Sequence, residues 1–433
     1  MESWNLLASE NVQDFIEQAL SKKMDALQIS TSLNRAGYSN GERVAIMDYM
    51  ALVPKFREKF FDETDRKGKF LLCDKLALEQ STAKDIGRWK AGLLPGDGSV
   101  SDLCCGMGGD SFFLPATLKL VGVDLDNGRL CMYRYNAAAF QKNADTRCAD
   151  VRTVQGHGLQ ADYFTIDPAR RALEGENQRD LRNLTPTLAE VVEISRHYKG
   201  GMAKLPPGYP PAEIPDGTEI LYLGGHSDCR ECLVLFGEIA KNPDTVRAVI
   251  VSKSGETEAE WSRKRDRSTE TLDDELQEKL DKNDSLEGKD RTYRTATSRN
   301  DLPLGDLGKF IAEPAPVLIR SHLFNAASLA CDPSARLISE GIAYVTSDIP
   351  LNAPGFSSYE VLAHAEIATG AVRAMLKEFD VGKITLKLRG VKLDPDAEIK
   401  RLKPKGKNSA ILFYTRARGE KVAILAKKVT NDR

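Results

Sequence analysis

The sequence predicts an α/β protein: an open, largely parallel sheet with crossovers on both faces, an N-terminal helical region before it and a small α+β domain after it. Three observations predict this. Residues 1–94 place apolar side chains three and four apart, the period of a helix buried on one face. From Ser99 short apolar runs alternate with helical stretches, the pattern of strands joined by crossover helices. From Leu307 strand and helix patterns resume after a stretch too charged to bury much surface.

In the first region NVQDFIEQALSKKMDAL and NGERVAIMDYMALVPKFREKFF read as helices. A kink or break is expected at Pro54, because proline lacks the amide donor and crowds the preceding turn. A further helix, ALEQSTAKDIGRWKAGLL, runs into the turn signal Leu94–Gly98. Between residues 95 and 253 the strand candidates are VSDLCCG, KLVGVDLD, DTRCADV, ADYFTIDPA and GMAKLPP. TEILYLGG, RECLVLFGEI and TVRAVIVSK follow with little helix between them and read as the end of the sheet, with an antiparallel hairpin. Residues 254–306 are expected to be a charged linker or insertion, in which DDELQEKLDK forms a short helix through its opposite charges. Residues 307–360 read as a small α+β, ferredoxin-like segment, and 361–433 as a basic domain in which SAILFYTRARG and KVAILAKKV make a hairpin.

At 433 residues the chain has room for roughly two to four domains. It is 41% hydrophobic and 29% charged, the composition of a globular protein. No run approaches the ~18 apolar residues of a membrane span, so no membrane partner is expected. MESWNLLASENVQDF lacks the basic and apolar regions of a signal peptide. Eight cysteines at irregular spacings do not make a disulfide framework, which points to a reducing, cytoplasmic setting. Net charge is −2, yet from Lys383 to Arg433 fifteen Lys and Arg stand against five Asp and Glu. Such a basic end is either a footprint for nucleic acid or a solvated lysine-rich face.

VSDLCCGMGGD is the most informative segment. A strand ends in Asp102, and the spacing runs through Cys104, Gly106, Gly108 and Gly109 to Asp110. Small residues let a backbone approach a ligand closely, and in an open sheet that ligand lies over the carboxyl ends of the strands. The loop has no Gly-Lys-Ser/Thr for phosphates and no G-x-G-x-x-G dinucleotide pattern. KLVGVDLD then brings Asp124, a carboxylate able to accept both ribose hydroxyl protons. RCADV brings Asp150 and Val151 toward an adenine, and FTIDPARR brings Asp167 and Pro168 to the fourth strand end.

Residues 99–253 resemble a class I S-adenosylmethionine-dependent methyltransferase, with its Rossmann-like sheet. DLCCGMGGD is similar to the cofactor motif of the trimethylguanosine synthase-like group, and ALEQSTAKDIGRWKA resembles the helical segment before that group's first strand. KITLKLRGVKLDPDAEIKRLKPKGKNSAILFYTR resembles the THUMP-like domain that bacterial proteins join to such an enzyme. The resemblance implies S-adenosylmethionine as cofactor, held by Asp102, Cys104, Gly106, Gly108, Gly109, Asp124, Asp150 and Val151. Cys104 stands where many members have glycine.

The reaction site is expected at Asp167, Pro168 and Arg170. Nucleic-acid amine methyltransferases often carry Asp/Asn-Pro-Pro-aromatic there, the ring stacking on the target base. Here Ala169, Arg170 and Arg171 follow Pro168, so that platform is missing. Arg170 could clamp a phosphate, while Arg171 serves either function or a salt bridge such as one to Glu174. Lys204 to Gly208, KLPPG, is either a wall of the pocket or a rigid turn. Carbon-5 pyrimidine methylation would need a cysteine nucleophile, and Cys229 and Cys232 follow the wrong strand for it. His226-x-x-Cys229-x-x-Cys232 supplies three ligands where a closed zinc site usually takes four, so it reads as structural and no metal is expected.

In the tail, Lys387, Arg389, Lys392, Arg401, Lys403 and Lys405 are the candidate RNA-binding residues. Folded RNA is recognised largely through phosphates and 2′-hydroxyls, which suits a basic surface with few aromatic residues. Three functions compete on these grounds: a methyltransferase of structured RNA, a methyltransferase of a small molecule or protein, and a non-catalytic RNA-binding protein that retains the cofactor.

Overall fold

The computed structural model describes residues 2–153, 161–170, 181–265 and 302–429. Its first ninety-one residues hold six helices: α1 (Glu2–Leu7), α2 (Glu10–Ser21), α3 (Ala26–Arg35), α4 (Asn40–Phe60), α5 (Lys75–Gln80) and α6 (Lys84–Ala91). Side chains of Asp25 and Ser39 cap the backbones of α3 and α4, and Gln28 and Glu42 reach back to complete capping boxes. Helix α4 runs continuously through Pro54, so the expected break does not occur there. Val53, Phe56 and Phe60 around it are buried, and their packing outweighs the one amide donor lost.

A nine-stranded sheet follows, built from β1 (Ser99–Leu103), β2 (Lys119–Asp124), β3 (Asn143–Cys148), β4 (Tyr163–Ile166), β7 (Gly200–Leu205), β8 (Glu219–Gly224), β9 (Glu231–Gly237), β10 (Thr245–Val251) and β11 (Thr257–Lys264). Short β5 (Ala169–Arg170) and β6 (Leu184–Thr185) pair apart from it. The sheet order is β11-β10-β8-β9-β7-β4-β1-β2-β3. Strands β3, β2, β1, β4 and β7 are mutually parallel, and β9 runs antiparallel between β7 and β8. Strand order reverses between β1 and β4, and such a switch point opens a crevice at the carboxyl ends. Helix α7 (Asn127–Ala139) packs on β2 and β3, and α8 (Leu188–Ser195) on β7.

Strand β11 corrects the expected linker. Residues 257–264 pair antiparallel with β10 although their side chains alternate only between exposed and half-buried. An edge strand can be held by its ladder of backbone hydrogen bonds with little apolar burial, and that leaves no hydrophobic signal to read. The expected helix DDELQEKLDK lies outside the described residues.

The rest of the described chain forms a seven-stranded sheet: β12 (Phe310–Pro314), β13 (Arg336–Leu337), β14 (Val345–Ser347), β15 (Phe356–Glu366), β16 (Val381–Leu388), β17 (Asn408–Ala417) and β18 (Glu420–Lys428), in the order β13-β14-β12-β15-β18-β17-β16. The segments expected to divide at residue 360 therefore share one sheet, and β15 crosses that boundary. Strand β15 pairs with β12 on one side and β18 on the other, which no local pattern reveals. The expected hairpin is β17–β18. Helices Thr369–Glu378 and Pro395–Leu402 cover one face through Val372, Met375 and Leu402. Val317, Leu318, Leu323 and Ala327 pack against Ala248 and Ile250 of β10, joining the two sheets.

Candidate functional site

The glycine-rich loop leaves β1 and turns at once. Cys104, Gly106 and Gly108 have φ of 57°, 53° and 95°, the left-handed region. A Cβ on Gly108 would lie 2.8 Å from the Phe112 ring and 3.0 Å from Tyr133, so only glycine fits. A Cβ on Gly109 would lie 2.9 Å from the Ser81 Cβ, because the α5–α6 connection presses onto the loop.

Behind the loop, Asp102 is buried and accepts hydrogen bonds from Ser111 Oγ and, at 3.1 Å, from Thr165 Oγ1. Burial pushes its carboxyl up to about 8, against the pull of those hydroxyl donors. It acts as a brace under the loop. Asp124 ends β2, and its two oxygens each accept one backbone amide at 3.0 Å, from Gly106 and from Asp126. A carboxylate has about four lone-pair sites, so capacity remains for hydroxyl donors. Asp150, after β3, accepts the Arg152 Nε at 2.9 Å.

These residues surround one cavity of about 620 Å³. Asp102, Cys104, Gly106, Gly109, Asp124, Asp150, Val151, Asp167 and Pro168 all line it, whereas Gly108 supports the turn from beside Phe112 and Tyr133. Arg170 continues the chain in β5, and only its backbone is described. Arg171 and its suggested partner Glu174 lie outside the described residues. Among the described lining residues none is aromatic.

The cavity also contains groups whose contacts the local pattern does not give, and Lys204 takes the pocket-wall alternative of its segment. Gln80, Ser81 and Thr82 reach it from the α5–α6 connection. They fall within ALEQSTAKDIGRWKA, whose resemblance signals position but no contacts. Lys204 reaches it from β7 and donates to Asp167 Oδ2 at 2.7 Å. Beneath, Glu231 of β9 accepts Thr82 Oγ1 at 2.7 Å and Lys90 Nζ at 2.8 Å, and Lys90 also binds Asp110. Side chains of Lys90 and Glu231 are only 4% and 5% exposed, so each ion depends on its partners for solvation. Burial alone would discharge Lys204, but Asp167, Glu231 and Asp110 hold it protonated. Burial raises the Asp167 carboxyl, and Lys204 opposes the rise.

Cysteine chemistry is elsewhere or silenced. Burial and the nearby carboxylates push the Cys104 thiol far up, and burial holds Cys229 at about 12, where little thiolate forms near neutral pH. Cys229 and Cys232 are absent from the cavity lining, and His226 binds Glu258 at 2.6 Å.

The basic tail residues divide. On β16, Lys387 binds Glu313 and lies 5.5 Å from the Tyr359 ring centre. Arg389 lies 3.5 Å from Glu313 and 4.5 Å from the Tyr344 ring centre. Arg401 pairs with Glu398 at 2.7 Å. Part of the expected positive surface is thus neutralised by acids, one of them 74 residues away. Lys403 and Lys405 instead border a cavity of about 470 Å³ with Arg373 and Lys377, and Asp380 is the one acid in its described lining. Lys392 has a partner of its own and lies outside that lining.

Residues 356–428 match the family described as THUMP domain-like. An uncharacterized S-adenosylmethionine-dependent methyltransferase of Mycobacterium tuberculosis, present in two strains, is 28% identical over 351 residues, covering 78% of this chain and 83% of that protein. The crystal structure of a putative methyltransferase from Porphyromonas gingivalis W83 superposes with a TM-score of 0.70 at 17% identity, covering 98% of this chain and 99% of that one. The chain thus shares the fold of that putative methyltransferase over nearly its whole length, and its residues 356–428 are THUMP-like. Among the described residues no helix is long and apolar enough to cross a membrane.

Proposed function

We infer that this chain is an S-adenosylmethionine-dependent methyltransferase, and we propose that its substrate is structured RNA held by the THUMP-like domain. The observation that carries the enzyme reading is convergence. A glycine loop with left-handed turns and three carboxylates at successive strand ends line one cavity of about 620 Å³.

The residues fit the cofactor. The close-approach backbone at Gly106 to Gly109 would take its amino-acid part, Asp124 its ribose hydroxyls, and Asp150 with Val151 its adenine. When bound, the cofactor supplies an already activated methyl group. The protein's part is alignment of the acceptor and removal of water, which can supply much of an enzyme's acceleration. Asp167 and Pro168 are the proposed contact with the acceptor, and Arg170 a proposed clamp on a neighbouring phosphate. The silenced thiols support an acceptor methylated on nitrogen or oxygen rather than on a carbon activated by a cysteine.

Support for RNA comes from the THUMP-like match and from the four basic residues, Arg373, Lys377, Lys403 and Lys405, around the second cavity. Lys387, Arg389, Lys392 and Arg401 are proposed as lesser contacts, because three of them already pair with acids. Filter binding to total RNA across a salt series tests this reading. The expected result is affinity that falls steeply with salt, and a shallower slope when the four residues around the cavity become alanine. A flat salt response in the native protein would overturn the RNA substrate. Tritiated methyl transfer to RNA from cells lacking the protein, followed by nucleoside identification, then names the product.

A further inference from the structure

We propose that Lys204 is the positioning residue of the transfer site: it holds the Asp167 carboxylate ionised and turned so that Oδ1 receives the N–H or O–H of the methyl acceptor. The proposal rests on the methyltransferase reading above.

Asp167 ends the fourth parallel strand and lines the cofactor cavity. Its Oδ2 accepts Lys204 Nζ at 2.7 Å, and among the described residues Oδ1 accepts no hydrogen bond. One oxygen is therefore tied, and among the described residues the other is left open to a ligand. Lys204 is itself held, 3.3 Å from the Gln80 carbonyl and 4.0 Å from Glu231 Oε1. Glu231 is fixed by Thr82 and Lys90, and Lys90 by Asp110.

The result is a line of alternating charge, Asp110–Lys90–Glu231–Lys204–Asp167, running from the glycine loop through α6, β9 and β7 to the end of β4. Both terminal carboxylates and Lys204 line the cavity, whereas Lys90 and Glu231 are shielded from water. A lysine serving only to neutralise Glu231 would sit closest to Glu231. Lys204 sits closest to Asp167, the member of the line at the proposed transfer position. Half-buried beside other acids, a carboxylate without this cation would take up a proton more readily and present an O–H where an acceptor needs a lone pair. The other groups facing the pair are Lys90, Glu231, Asp110, Asp102, Cys104 and Lys59. Of these charges only Lys204 is within hydrogen-bond distance of Asp167.

The test uses the full chain without cofactor, carrying aspartate labelled with carbon-13 at Cγ. The resonance missing from D167N reports the titration of Asp167. K204M is expected to raise that midpoint by about one to three pH units. K204R, which keeps the charge, should return it close to the native value. E231Q keeps Lys204 and removes a competing acid, so it should lower the midpoint, which provides a readout if K204M fails to fold. Calorimetry with S-adenosylhomocysteine checks that each variant retains a formed cavity. In methyl transfer to total RNA, the acid limb of the K204M rate profile should move upward by the same interval. An unchanged midpoint in folded K204M, or an equal rise in K204R, would overturn the proposal, as would a raised midpoint in E231Q. Native protein that transfers no methyl group to RNA, with the midpoints moving as expected, would instead overturn the RNA-methylating reading and with it the role of Oδ1 toward an RNA acceptor.

Discussion

Asn136 Nδ2 donates to the Met107 carbonyl at 3.0 Å, and so ties helix α7 directly to the glycine-rich loop. The same fully buried amide donates to the Leu72 carbonyl at 2.9 Å and accepts the Leu72 amide at 2.7 Å. One side chain thereby joins the N-terminal helical region, the glycine-rich loop and the sheet's first crossover helix. Met107, Phe112 and Met132 lie in the same core as Val53, Phe56 and Leu71, so the helical region is the floor on which the loop is set.

Replacing Asn136 with leucine keeps the volume and strands three buried backbone groups. Each such group costs about 1–3 kcal/mol, and partial relaxation should leave a net loss of about 2–4 kcal/mol. Urea unfolding followed by circular dichroism measures this. A loss below about 1 kcal/mol would show that the three bonds are dispensable.

D124A should weaken S-adenosylmethionine binding at least tenfold in calorimetry, because charge-assisted bonds to hydroxyls typically contribute about 1.5–3 kcal/mol. D124N should fall between it and the native protein. Native affinity in D124A would place the ribose elsewhere.

D167A should bind S-adenosylmethionine with near-native affinity while methyl transfer falls at least a hundredfold, the lower end of what a positioned acid–base group supplies. The two assays separate acceptor handling from cofactor handling. Equal losses in both would assign Asp167 to the cofactor instead.

Asp102 makes stability depend on pH. An ordinary aspartate in the unfolded chain titrates near 3.9, whereas burial brings this one to about 8. Between those values the folded protein keeps a proton that the unfolded chain has lost. Its contribution to stability therefore falls as pH rises, by at most about 1.4 kcal/mol per pH unit, and is lost progressively up to about pH 8. D102N mimics the protonated form and should remove this slope between pH 5 and 8. Denaturant midpoints of the two proteins across that range decide it, and parallel curves would show Asp102 to be ionised when folded.

The loop from Asp102 to Asp110 and the acids at positions 124, 150 and 167 were legible because each depends on its own few neighbours. A glycine at a left-handed turn and a carboxylate just past an apolar run are local facts. Gln80, Ser81 and Thr82 carry no local mark of their place at the cavity, since nothing in their helical segment says that Gly109 presses against it. Pro54 does not break its helix because the residues around it are held by packing rather than by propensity. Strand β11 was missed because its side chains bury too little to leave a pattern.

By itself, the sequence determined the alternation of strands and helices, the glycine turn and the order of strand-end acids, since backbone preference and hydrophobic period act over a few residues. Only the tertiary structure decided which charges meet. Lys204 finds Asp167 across 37 residues, Lys90 finds Glu231 across 141, and Lys387 finds Glu313 across 74. Those pairings follow from strand order and sheet packing, and a buried or half-buried ion adopts whichever opposite charge the topology brings within reach. The same physics made part of the tail's apparent positive surface neutral and turned Lys204, at the head of a segment that reads equally as pocket wall or rigid turn, toward Asp167.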